Sequence, residues 1–134
     1  MPQTRLLLYR EADGSVPIKR WLEEVQRTDR RGFAKCAERI QRLAALGHEL
    51  RRPHADFLRN GIYELRARRG TVNYRVLYFF HGKDVAVLAH GLTKKGKVPK
   101  ADIDRVIRRR NAFENDPEKH TYEEPRGGED PQDD

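Results

Sequence analysis

Residues 61–97 read GIYELRARRGTVNYRVLYFFHGKDVAVLAHGLTKKGK. Three short extended runs separated by turns can be picked out of this stretch. From Ile62 to Arg68 the pattern alternates strictly: Tyr63, Leu65 and Ala67 point one way, and Glu64, Arg66 and Arg68 the other. Arg69-Gly70 makes a tight turn. Val72 to Phe80 is rich in β-branched and aromatic residues, the composition of a central strand. Its two faces are Val72/Tyr74/Val76/Tyr78/Phe80 and Asn73/Arg75/Leu77/Phe79/His81. A second turn at His81–Asp84 leads into a last strand, Val85 to Leu92, and then a cationic loop, Thr93 to Val98.

The flanks supply the other layer. Thr4 to Arg10 is a short apolar run that reads as a first strand. Asp13-Gly14-Ser15 turns the chain into a helix capped at Ser15 or Val16, with Pro17 in the first turn, where its missing N–H costs nothing. Ile18, Trp21, Leu22 and Val25 recur at helical spacing. After a polar break, Thr28 to Gly32, the residues Phe33, Cys36, Ala37, Ile40, Leu43 and Ala44 form a second stripe, ended by Gly47. His48 to Asn60 reads as a loop. Pro99 opens a final helix carrying Ile103, Val106 and Ile107 and ending in Arg108–Arg110. The order β-α-α-β-β-β-α predicts an α+β fold: a four-stranded, mostly antiparallel sheet with an N-terminal helical hairpin and a C-terminal helix. One sheet face packs on the hairpin, and the other is partly open to solvent.

At 134 residues the chain is the size of one domain. Hydrophobic and charged residues each make up 37%, so the core is small and edged by long charged side chains. The longest apolar run, Val85 to Ala89, is too short for a bilayer. The start, MPQTRLLLYRE, lacks the h-region of a secretory signal, so we expect a cytoplasmic protein without membrane association. The one cysteine, Cys36, lies on a helix stripe and reads as a small buried hydrophobe.

Charge is unevenly distributed. The segment from Glu114 onward holds nine acids and two bases, which leaves 26 bases and 12 acids, a charge of +14, over Met1–Phe113. This predicts a folded domain over residues 1–113 and an acidic, disordered tail over 114–134. The tail would either screen the basic domain or simply solubilise it. The domain's field favours polyanions, nucleic acid first among them.

Several chemistries lack their residues. No glycine-rich phosphate loop precedes a helix, no Gly-x-Ser-x-Gly occurs, and His48, His54, His81, His90 and His120 do not have metal-ligand spacing. What remains is the basic sheet. Arg66 and Arg68 share a strand face, Arg75 can share it from the next strand, and Lys94, Lys95 and Lys97 follow the last strand. Arginine's planar fork donates bidentate hydrogen bonds to phosphate. Each of these cations has a plainer reading as a solvated strand face, Glu64 as a cross-strand ion pair, and Tyr63, Tyr74, Tyr78 and His90 as packing residues.

Three elements in order, Gly61-Ile62-Tyr63-Glu64-Leu65-Arg66, then Tyr74-Arg75-Val76-Leu77-Tyr78-Phe79, then His90-Gly91-Leu92-Thr93-Lys94-Lys95 before the Pro99 helix, resemble the phage-derived, HigB-like branch of the RelE/ParE toxin superfamily. The resemblance runs from about Arg5 to Arg110. It implies the toxin of a type II toxin–antitoxin pair, a ribosome-dependent and metal-independent mRNA endoribonuclease that needs no cofactor. In such enzymes the 2′-hydroxyl attacks the adjacent phosphorus, leaving a 2′,3′-cyclic phosphate and a 5′-hydroxyl. Carried over by position, Arg66 and Arg75 would hold the phosphate, and Lys94 or Lys95 would neutralise it or assist proton transfer. Glu64 and His90 are the alternative bases, and Arg68, Arg69, Lys97, Arg59 and His54 would bind RNA. The implied partners are the ribosome with its mRNA and a cognate antitoxin bearing a helix-turn-helix domain, through which alone operator DNA would be met. The same fold also serves gyrase-directed toxins and would suit an inactive nucleic-acid-binding regulator. One position departs from the branch: where relatives carry a basic residue just before the ELR strand, this chain has Asp56.

Overall fold

The computed structural model describes residues 3–94 and 96–123. Six strands and three helices follow in the order β1 (Arg5–Tyr9), α1 (Pro17–Thr28), α2 (Arg30–Leu46), β2 (Ala55–Arg59), β3 (Ile62–Arg69), β4 (Val72–His81), β5 (Val85–Thr93), α3 (Lys100–Asn115) and β6 (Thr121–Tyr122). A short 3-10 turn, Gly47–Glu49, follows α2. The α+β class is as the sequence predicts, but the sheet is larger and mixed. Its order is β2-β3-β4-β5-β1-β6, with β1 parallel to β5 and every other pair antiparallel.

The alternation in β3 and β4 divides the core in two. Leu65, Val76, Tyr78, Ala86 and Leu88 pack toward α1 and α2 against Ile18 and Leu43. Beside them Ala67 and Tyr74 meet Val25 and Cys36. On the opposite face Ile62, Leu77, Phe79, Val87 and Ala89 pack against Ile103, Val106 and Phe113 of α3. Burying each of these side chains fully stabilises the fold by about 1.5–3 kcal/mol, so the central strand β4, apolar on both faces, anchors both layers. Helix α3 covers only one end of its face, and the Glu64–Arg66–Arg75 end stays uncovered.

The helix boundaries follow from local chemistry. Val16 is the N-cap of α1, with Pro17 at the first helical position, where its fixed φ fits and no hydrogen bond is lost. The break between the helices is shorter than the sequence suggests: Asp29 alone ends α1 and caps α2. One carboxylate oxygen of Asp29 accepts from the Gly32 N–H at 3.0 Å and the other from the Tyr74 hydroxyl at 2.6 Å. These hydrogen bonds, the Tyr74 bond foremost, hold the Asp29 carboxyl below its usual range. Gly47 closes α2 with φ +53°.

Two expectations need correction. The segment His48–Asn60 is not all loop, because Ala55–Arg59 pairs with β3 as an edge strand. The domain boundary also lies beyond Phe113. Helix α3 runs to Asn115, and Tyr122 and Thr121 pair with Leu8 and Tyr9. This end is held by His120, stacked on Tyr9 at 5.3 Å between ring centroids and hydrogen-bonded to the Arg10 carbonyl at 2.8 Å. Arg5 grips Glu123 through two hydrogen bonds, of 2.9 and 2.6 Å. The rest of the expected acidic tail, 124–134, lies outside the described residues. Among the described residues no helix is long and apolar enough to cross a membrane.

Candidate functional site

The register of β3 and β4 sets Arg66 directly opposite Arg75. Like charges facing each other across a sheet repel, and here the repulsion is offset by Glu64, which is 2% exposed. Its Oε2 accepts from Arg66 Nε at 2.9 Å, and its Oε1 from Arg75 Nη1 at 3.4 Å. Arg66 also donates to Asp56 at 3.3 Å. The Arg75 side chain is 13% exposed, and its Nε is buried without any hydrogen-bond partner. A buried donor left unpaired is destabilising, and an acceptor entering from the open side would relieve it.

These residues form the floor of a cavity of about 780 Å³. Its cationic lining comprises Arg39, Arg59, Arg66, Arg68, Arg75 and Lys97, against two carboxylates, Asp56 and Glu64. Strand β2 supplies one wall. There Asp56 sits between Arg66 and Arg52, 3.1 Å from the latter, and the Arg52 hydrogen bond does most to hold its carboxyl below the usual range. His54 also lines the cavity. Burial, with Arg39 and Arg42 nearby, pulls its pKa below the ordinary histidine value, so it is neutral at pH 7 and able to accept a proton. Arg59 reaches α3, donating to Asp104 at 2.6 Å. Arg68 is exposed and donates to the Gly70 carbonyl at 2.9 Å.

Not every expected site residue is here. Lys94 is exposed and outside the cavity lining; its backbone N–H extends the sheet to the Asn73 carbonyl at 3.2 Å. His90 lies beneath α3, its Nε2 2.7 Å from Asp102 Oδ1 and its Nδ1 3.4 Å from Arg109. Burial lowers its pKa against the opposing pull of Asp102, and its contacts are those of a packed residue joining helix to sheet. Arg69 points to the hairpin side, donating to Asp29 at 2.8 Å. Lys95 lies outside the described residues. The structure thus brings together Glu64, Arg66, Arg68, Arg75, Lys97, Arg59 and His54, and leaves out Lys94, His90 and Arg69.

Two lining residues were not foreseen. Arg39 of α2 crosses to the sheet edge, its Nε donating to the Arg66 carbonyl at 3.1 Å. Strand β2 pairs with β3 only up to Leu65, so that carbonyl needs another donor. Nothing in the α2 stripe signals this. Phe57 stands exposed on β2, and reading 48–60 as a loop concealed it.

The chain matches no curated protein in sequence. Residues 20–111 match the sequence model of a family described as phage-derived protein Gp49-like (DUF891), a span that takes in both hairpin helices, strands β2 to β5 and most of α3. By that match and this fold, the chain belongs to the Gp49-like phage-derived family, part of the RelE/ParE-like toxin superfamily.

Proposed function

We propose that the protein is the toxin of a type II toxin–antitoxin pair, of the HigB-like branch, and that it cleaves mRNA on the ribosome. The observation that carries this reading is the Arg66–Arg75 pair, held face to face on buried Glu64 with one Arg75 donor unused, at the floor of a cation-rich cavity. A phosphodiester entering the cavity meets two guanidinium groups whose charge suits the extra negative charge of a pentacoordinate phosphorus. Glu64 orients both groups. The 2′-oxygen of the substrate bonds to phosphorus and the bond to the 5′-oxygen breaks, giving a 2′,3′-cyclic phosphate and a 5′-hydroxyl. Neutral His54 takes the 2′-hydroxyl proton, and water returns one to the leaving oxygen. Lys97 and Arg68 extend the positive wall along the strand's path. An antitoxin with a helix-turn-helix domain completes the pair and carries any contact with operator DNA.

Primer extension on a defined message in a purified translation system tests this. The expected result is new 3′ ends confined to ribosome-bound message, with cyclic phosphate termini. Intact message under active translation would overturn the reading, and inhibition of gyrase in its place would favour the gyrase-directed alternative.

A further inference from the structure

Two large apolar side chains are exposed among the described residues, Leu46 at 45% and Phe57 at 52%. Phe57 is the aromatic one, and it borders the cationic cavity. It projects from the edge strand β2 opposite Tyr63, whose ring it meets edge-on at 5.2 Å between centroids. Tyr63 is itself fixed between Tyr78, at 5.5 Å, and Phe80, at 5.3 Å. The exposed ring is thus backed by a rigid aromatic stack. An exposed aromatic on an edge strand is a hazard that proteins usually avoid. On the same strand Asp56 faces the Arg66 side.

We infer that Phe57 is a stacking platform for a nucleobase of the single-stranded RNA whose phosphate rests on Arg66 and Arg75. The inference builds on the proposed function and adds a base-binding residue to its phosphate site. Phe57 pairs with Tyr63, and Arg66 lies three residues further along the same strand. That spacing places ring and guanidinium about 10 Å apart along the strand, so a base flanking the bound phosphate can reach the ring. Stacking is the way proteins hold unpaired bases without reading sequence, because every base has a π-face. The wall around Phe57 is otherwise charged, so charge brings in the backbone and the ring orders a base.

Calorimetric titration of the intact protein tests this with two probes: a short single-stranded RNA made uncleavable by 2′-O-methyl groups, and inorganic polyphosphate, which has charge but no bases. Phe57→Ala should bind the RNA about tenfold more weakly and polyphosphate as the wild type does. Phe57→Trp should retain RNA affinity, while Phe57→Leu should behave like Phe57→Ala, since it is apolar but cannot stack. Unchanged RNA affinity in Phe57→Ala, equal affinity of the Leu and Trp variants, or a change in self-association instead of RNA affinity would overturn the stacking role and leave the phosphate site standing. Failure of the wild type to bind either probe would overturn the phosphate site and the stacking role together.

Discussion

Glu64 is the residue around which the cavity is organised. A buried carboxylate needs partners, and it finds them in two arginines that would otherwise repel each other. The alternation in Ile62–Arg68 made the shared face of Glu64, Arg66 and Arg68 readable from the sequence, and strand pairing added Arg75 to it. The roles of the histidines were not readable. His90 follows a strand motif and looked available, but α3 buries it against Asp102. His54 sat in an apparent loop, yet it lines the cavity. If His54 accepts the proton, cleavage of ribosome-bound message needs it neutral. Its pKa lies below 6.5, so activity should hold as pH falls to 6.5 and decline only below it. His54→Ala should lower the rate by roughly 10²–10⁴-fold and abolish that acid limb. A profile with the limb intact in the variant would move the role to another group.

At the scale of elements, the helical hairpin and the three central strands were legible because periodicity and turn residues agree there. Strand β2 was missed because ADFLR is short and mixed, and its pairing depends on β3, which no local pattern reveals. Strand β6 was missed because the acidic composition around it suggests disorder, and the His120–Tyr9 stack that holds it joins residues from opposite ends of the chain. Gly91 shows how closely α1 sits on the sheet: a Cβ at this position would overlap the Trp21 ring. Gly91→Ala should therefore destabilise the protein by about 1–3 kcal/mol through overpacking, seen as a lower midpoint in denaturant. An unchanged midpoint would mean that α1 can shift away without loss. By fixing β5 beneath α1, this contact also holds the strand that pairs Leu92 with Arg75.

For the molecule as a whole, charge and shape act on the same ligand class. The excess of bases over acids in residues 1–113 was plain in the sequence and draws in polyanions from a distance. The fold concentrates part of that charge in one cavity, because α3 covers only the apolar end of its sheet face. Where α3 stops could not be read from the sequence, since it follows from how the helix packs on Ile62, Leu77 and Phe79. The central claim is that this cavity is where RNA phosphate is bound and cut. It is tested most directly by measuring kcat/KM for cleavage of ribosome-bound message with Arg66→Ala and Arg75→Ala, each shown to be folded by its thermal unfolding transition. The account predicts a loss on the order of 10²–10³-fold for each variant with the transition preserved. Full cleavage by either folded variant would contradict it.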